Sequence, residues 1–445
     1  MRIYGIGGYN EVGKNMTAVE LKDDVFLFDC GLYLPPIVEL EEAERAYTEK
    51  KLRAIGAVPS DDILDNLGLR EKVRAILPSH AHLDHIGAIP FLAQRYNADI
   101  IGTPFTIEVL KTLIADEKSN LKNKLRVVQP NSFCFVQGKT KKYKVEFINI
   151  THSTIQTSMI ALHTDEGIVL YANDFKFDNN PILGRPPNYQ RLKEIGKEGV
   201  KVLIVDSLYS GDERKTASEK VARTLLEDVL LTTSNENAGL FVTTFSSHIA
   251  RLKSIVDFGN QLDRKIVFLG RSLNKYVTSA ARIDMCPFIK DIELVSYKNQ
   301  LMKKLKTINK NRRDYLVVCT GHQGEPGSIL DRLAKNKLPF QFEPNDHVLF
   351  SSSVIPSKVN IENRAKLDDR LRKKGIRLFN NLHVSGHAGR EDLRDFINML
   401  NPENIIPAHG SHDKIGPMVE LSKELGYKEK KNVFLIHDKQ RLDFN

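Results

Sequence analysis

The stretch that most constrains this chain is Ser79-His80-Ala81-His82-Leu83-Asp84-His85. Its four ligand-type side chains are flanked by Ile76, Leu77 and Ile86, which read as core. In an extended segment alternate residues point the same way, so His80 and His82 converge on one cation while Ala81 and Leu83 face elsewhere. Asp84 and His85 fall on the turn that follows, where a second cation can reach them. A helix is predicted over residues 86–92, with Pro90 in its first turn. Imidazole and carboxylate oxygen are ligands that zinc accepts, and hydrolytic zinc sites keep one position open for water. As a plain polar turn the segment would desolvate several titratable groups without a partner, which is costly.

The rest of the first half supplies strands that end in further ligand types. Residues 2–6, 16–21 and 25–29 read as strands separated by Gly-rich turns, and Asp29 emerges at the end of the third. Residues 33–70 read as a charged surface excursion with a helical piece over 39–54. A buried strand over 73–78 feeds the His cluster. Strands over 132–136 and 143–150 follow, the second delivering His152. A hairpin of 158–163 and 167–172 turns at Asp165-Glu166-Gly167 and delivers Asp174. Carboxylates and imidazoles at successive strand ends are what a layered sheet scaffold provides.

From residue 200 the rhythm changes. Strands over 200–205, 239–244, 265–269 and 315–319 alternate with helices over 218–231, 248–258, 273–281 and from 328, which predicts a parallel sheet. The first of these strands ends at Asp206. A basic helix over 361–374 comes next, and the last stretch reads as short strands and loops carrying His383, His387, His409 and His412.

At 445 residues two or three domains are expected, and 41% hydrophobic residues suffice for their cores. A formal net charge of +9 is compatible with a polyanionic partner without requiring one. Cys30, Cys134, Cys286 and Cys319 form no CxxC pair, which argues against a Cys-type zinc finger or a disulfide framework and fits a reducing cytosol. The Gly-rich N-terminus is unlike a signal peptide, and no apolar run approaches membrane-spanning length. A soluble cytoplasmic protein with no membrane partner is expected.

Collecting the ligands gives His80, His82 and His152 for one metal ion, Asp84, His85 and His409 for another, and Asp174 as a bridge. A zinc pair acidifies a shared water and clamps the oxygens of a phosphodiester.

The set Asp29, His80-x-His82-x-Asp84-His85, His152, Asp174 and His409 resembles the metallo-β-lactamase fold. Asp206, Ser385-Gly386-His387-Ala388 and Pro407-Ala408-His409-Gly410 resemble the added motifs of its nucleic-acid branch, the β-CASP nucleases. Within that branch the chain is most similar to the ribonuclease J family in its compact archaeal form. The resemblance implies an α/β protein: an αββα metallo-β-lactamase sandwich in two parts, residues 1–206 and 366–445, with a parallel-sheet β-CASP domain, residues 207–365, inserted between them. It implies hydrolysis of single-stranded RNA from a 5′-monophosphate end in the 5′→3′ direction, in RNA decay and maturation, with two Zn2+ ions or Mn2+ or Mg2+ in their place. Asp84, Asp206 and His387 are then the expected catalytic side chains. His387 would donate a proton to the phosphate or leaving oxygen, and Asp29 would orient ligand histidines from behind.

A 5′-monophosphate pocket is expected beside the metals, where backbone amides at helix starts and Gly-rich turns bind phosphate. The candidates are Ser246-Ser247-His248 with Arg251 one turn on, Arg271 after Gly270, Gly321-His322-Gln323-Gly324-Glu325, which reads as opening a helix, and Ser385-Gly386-His387. Bacterial members dimerise through a further C-terminal domain; that route is not expected here, and a homodimer by another route stays open. Two other activities stay open as well: a predominantly endoribonucleolytic enzyme, and a small-molecule metallo-hydrolase, against which the long insert and the basic excess count.

Overall fold

The computed structural model describes residues 1–38, 40 and 47–444. The first sheet has seven strands in the order Arg441–Asp443, Arg2–Gly7, Met16–Leu21, Asp24–Phe28, Val73–Leu77, Asp99–Gly102, Leu125–Val127. It is antiparallel up to Asp24–Phe28 and parallel beyond. The second has six strands, Asn404–Ala408, Val200–Asp206, Gly167–Ala172, Ser158–Thr164, Lys142–Asn149 and Ser132–Gln137.

Period-two patterning stacks these sheets face to face. In the second sheet Phe147, Ile160, Leu162, Val169, Tyr171, Val202 and Ile204 point inward to meet Ile3, Val19, Phe26, Phe28 and Leu77 of the first. Their neighbours Ile148, Met159, Ala161, Leu170, Leu203 and Val205 point outward onto helices Tyr189–Glu198, Arg390–Leu400 and Pro417–Glu424. The outer face of the first sheet is covered by helix Pro104–Asp116 and the shorter helices before it. Helix, sheet, sheet and helix thus form the expected αββα sandwich. Chain ends and chain middle share it, because Val200–Asp206 pairs in parallel with Asn404–Ala408.

Between those two strands lies a third sheet, parallel throughout: Ile292–Val295, Lys265–Leu269, Tyr315–Cys319, Leu240–Thr243, His347–Phe350, Arg377–Phe379. Helices cover both of its faces. The helix Arg271–Ala281 packs on Pro104–Asp116 of the sandwich, which joins the two cores into one cluster. No helix among the described residues is long and apolar enough to cross a membrane.

Three expectations differ from the structure. The helical piece expected over 39–54 is the helix Glu49–Ala54; residues 39 and 41–46 lie outside the described residues. The boundary expected after residue 365 falls inside the helix Lys358–Arg372, and the strand after it still pairs with His347–Phe350, so the inserted sheet ends at Phe379. The stretch expected as short strands and loops holds Arg390–Leu400 and Pro417–Glu424. Leu393, Phe396, Ile397 and Leu400 carry helical spacing, and Asn401 ends the helix in the left-handed region at φ 44°.

Candidate metal centre

The site lies where strand ends of both sheets meet the inserted unit. Two groups of donor atoms converge there, His80, His82, His152 and Asp174, and Asp84, His85, Asp174 and His409, each within 4.8 Å of one another. Asp174 is common to both. Its Oδ2 lies 3.6 Å from His80 Nε2, 3.6 Å from His152 Nε2 and 3.3 Å from His85 Nε2. His85 Nε2 is also 3.4 Å from Asp84 Oδ2. Asp29, Asp174 and His409 hold φ of 58°, 56° and 66°, a left-handed backbone that costs energy and concentrates at working sites. Gly31 allows the His loop to close, since a Cβ there would lie 1.6 Å from the Asp84 carbonyl oxygen.

Hydrogen bonds behind the ligands fix which nitrogen each imidazole offers. Asp29, fully buried, accepts from Ser79 N at 2.7 Å, Ser79 Oγ at 3.0 Å and Tyr171 Oη at 2.8 Å. It also accepts from His85 Nδ1 at 2.7 Å. Because Ser79 Oγ gives its proton to Asp29, it accepts from His80 Nδ1 at 3.0 Å. His152 Nδ1 donates to the Gly386 carbonyl at 2.7 Å. His80, His85 and His152 therefore each turn an Nε2 lone pair into the site.

The His80 and His152 lone pairs converge on one nitrogen of His82, which can carry at most one proton for the two of them. His80 Nε2 and His152 Nε2 lie 3.0 Å and 3.2 Å from His82 Nδ1, while His82 Nε2 faces Ser247 Oγ at 3.1 Å. Asp174 Oδ1 is buried with no hydrogen-bond partner. A nitrogen and carboxylate donor set that is desolvated and short of positive charge fits two divalent cations, and zinc among them.

For His80, His82 and His152 the protonation preferences agree, whereas His85 holds a proton that a cation would have to displace. Burial, reinforced by neighbouring imidazoles, holds His80 and His152 well below the usual imidazole range and brings His82 down to about 4. Burial also opposes charge on His85, but Asp174, Asp84 and Asp29 outweigh it and raise that imidazole well above its ordinary value. Desolvation also opposes charge on the half-buried Asp84 carboxyl, yet His85 keeps it ionised.

His387 stands over both ligand groups, its ring 5.1 Å from that of His152 and 5.3 Å from that of His409. Its Nδ1 lies 2.7 Å from Asp206 Oδ2, and Asp206 Oδ1 accepts from Leu208 N at 3.0 Å. Burial disfavours the imidazolium, but Asp206 and then Asp174 reverse this and raise His387 to about 9. Ser385 Oγ accepts from His387 N at 3.0 Å and holds the turn.

The expected phosphate contacts divide. Ser247 is at the site, and Arg271 is exposed in the first turn of Arg271–Ala281. His248 caps Ile249–Gln261, its Nε2 3.3 Å from Glu219. Arg251 is not available to a phosphate: it is fully buried, paired with Glu219 and donating to Ser351 O at 2.9 Å and Leu382 O at 3.1 Å. Gln323 is also withdrawn, its amide spent on Ser353 O and Ile355 N at 2.8 Å each. Gly321 to Glu325 form a turn and open no helix; the next helix starts at Ile329. Gly324 is there for packing, since a Cβ would come within 2.5 Å of the Asn363 backbone. His322 packs edge-on against Phe245 at 4.3 Å.

Sequence reasoning passed over Ser79 and Tyr171, which hold Asp29, and over Asn15, which touches His85 and His409. Only the placement of Ser79 directly before the His cluster signals its part. A cavity of about 520 Å³ opens beside His152 and Ser153, with Asn149, Thr151, Gln156 and Arg185 on its walls.

Comparison with known proteins agrees with this geometry. Residues 9–230 match a family model described as metallo-beta-lactamase superfamily, residues 237–366 one described as ribonuclease J, beta-CASP domain, and residues 375–437 one described as Zn-dependent metallo-hydrolase RNA specificity domain. The chain is 45% identical to ribonuclease J of Pyrococcus abyssi over 98% of its own length and 95% of the relative's. It is 41% identical to ribonuclease J of Methanocaldococcus jannaschii over 100% and 99%. Among solved structures, a protein of unknown function from Enterococcus faecalis has the same fold, with a TM-score of 0.65 at 18% identity and 99% of both chains covered.

Proposed function

The chain belongs to the ribonuclease J family, nucleases of the metallo-β-lactamase and β-CASP type, and on that premise we propose that it removes nucleotides 5′→3′ from RNA bearing a 5′-monophosphate, with two zinc ions. The observation that carries this reading is the pair of ligand groups sharing Asp174 beneath a His387 that Asp206 keeps protonated.

His80, His82, His152 and Asp174 would hold one ion and Asp84, His85, Asp174 and His409 the other. Divalent ions supply Lewis acidity there, acidifying water and neutralising phosphodiester charge. With Nδ1 spent on Asp206, His387 keeps Nε2–H free to donate to a phosphate or departing oxygen. Asp206 stays a positioning and charge-holding partner to that imidazole. Asp29 and the Gly386 carbonyl keep the ligand rings from turning.

Anchoring of a 5′-phosphate is supported by the inserted sheet. Leu240–Thr243 and Lys265–Leu269 run into the N-termini of Ile249–Gln261 and Arg271–Ala281, and Ser247, at the first of these junctions, reaches His82. Helix N-termini at the carboxyl ends of parallel strands are anion sites. Ser352 Oγ, just past the end of neighbouring strand His347–Phe350, is buried and lacks a partner.

The test compares labelled RNAs carrying 5′-hydroxyl, monophosphate or triphosphate ends, with a circular RNA alongside. Mononucleotide release fastest from the monophosphate, none from the circle, and loss of release on chelation are expected. Release that persists in chelator sinks the metal assignment; cleavage of the circle at the linear rate sinks the end-directed one.

A further inference from the structure

We propose that Asn15 is a positioning residue that fixes the tautomer of His409, so that the last ligand of the chain presents Nε2 to the second cation position. The proposal rests on the two-cation reading.

Asn15 lies just before the strand Met16–Leu21 and is 1% exposed. Its Nδ2 donates to the Asp84 carbonyl at 3.0 Å. Its Oδ1 lies 3.0 Å from His409 Nδ1 and accepts from Asn173 Nδ2 at 3.1 Å. The same Nδ2 is 3.1 Å from His85 Nε2. One amide thus touches both imidazoles of the second ligand group, 70 and 394 residues away.

The orientation of this amide follows from its neighbours. The Asp84 carbonyl can only accept, so the atom facing it is Nδ2. From the other side, Tyr171 Oη gives its proton to Asp29 at 2.8 Å, so it accepts from Asn173 Nδ2 at 3.0 Å. Asn173 therefore also turns donors toward Asn15, whose facing atom is Oδ1. Both ends agree. An amide oxygen accepts only, so His409 Nδ1 carries a proton and Nε2 carries the lone pair.

The alternative partner for that proton is Asp174 Oδ1, at 3.4 Å. Asn15 is closer and uncharged, which leaves the Asp174 carboxylate for a cation. A restraint on the His409 ring matters because its backbone is left-handed at φ 66°, with its N bonded to Gly8 O at 2.8 Å. Partners behind a metal ligand are worth about 10–100-fold in metal affinity.

The experiment titrates the full chain with zinc against a competing chelator, for wild type, Asn15→Ala, His409→Ala and the double variant. The imidazole nitrogens of His409 in the wild-type protein are read by long-range 1H–15N correlation. Expected are a proton on Nδ1, a loss of roughly 10–100-fold in affinity for the second ion alone in Asn15→Ala, and a clearly smaller loss from Asn15→Ala in the His409→Ala background, where only its contacts with Asp84 and His85 remain to be lost. A proton on Nε2, an unchanged second affinity, or losses that simply add in the double variant overturns the proposal. If Asn15→Ala does not fold, the wild-type spectrum decides. A wild-type protein that takes up fewer than two ions instead defeats the two-cation reading.

Discussion

His387 Nδ1 and Asp206 Oδ2 are 2.7 Å apart across 181 residues of chain. The contact joins the last residue of Val200–Asp206 to a turn reached only after the whole inserted unit. The carboxylate keeps the imidazole charged to about pH 9. Below that value His387 holds its proton, and as pH rises through it the proton is lost. Cations held by Asp174 and Asp84 would offset part of that upward shift, so turnover should fall as pH rises through a value at or below about 9. Asp206→Asn removes the charge that raises the imidazole and should move the alkaline limb toward lower pH. His387→Ala should lower kcat by roughly 10²- to 10⁴-fold while RNA binding changes little. Profiles of kcat against pH and a separate binding titration check both.

Gly386 touches the first ligand group through its backbone alone. Its carbonyl takes the proton of His152 Nδ1, and a Cβ on it would fall 2.8 Å from His152 Cε1 and 2.9 Å from Nδ1. Contacts that short force something to move, and the nearest group is the ligand ring itself. Gly386→Ala should reduce affinity for the first zinc ion about tenfold or more, without unfolding the sandwich. A competition titration measures the loss, and circular dichroism measures the fold.

The His cluster, the strand-end placement of His152 and Asp174 and the alternation after residue 200 were legible because each is local. A period or a spacing within one segment carries it. The contribution of Asn15 was not legible, since nothing near it in sequence shows that residue 409 will arrive beside it. Arg251 misled for the same reason: an arginine one turn into a helix opened by Ser246-Ser247-His248 reads as a phosphate contact until Glu219, 32 residues earlier, is seen to take it. Arg390–Leu400 was legible and passed over, because histidines drew the reading to the loops around it.

Removing the metal should abolish turnover and leave both units folded. The sandwich is held by Phe26, Phe28, Phe147, Tyr171 and their neighbours, and the inserted sheet has its own apolar face, neither of which includes a ligand side chain. Melting should nonetheless fall on chelation, because ions that bind only the folded state stabilise it by RT ln(1 + [L]/Kd). Calorimetry with and without chelator, followed by zinc restoration of activity, tests this. Chelated protein that unfolds outright would mean that the ligands, not the cores, hold the fold.

Arg251 and Arg271 should separate stability from RNA binding. Arg251 is fully buried, and its guanidinium links Glu219, the end of strand His347–Phe350 at Ser351 and the connector at Leu382 that leads to His387. Arg251→Ala leaves Glu219 desolvated without its cation, a change worth about 3–5 kcal/mol of stability. Arg271 is exposed at a helix N-terminus, and the next residue, Ser272, bonds Ser246, the neighbour of Ser247. Arg271→Ala should stay within about 0.5 kcal/mol of wild type in stability. It should weaken RNA binding and reduce the slope of log affinity against log salt by about one. Denaturant melts and salt-dependent binding on the same two variants decide the assignment. An Arg271→Ala protein with an unchanged salt slope would remove Arg271 from the RNA path and leave the anion site to Ser247, Ser352 and the helix amides alone.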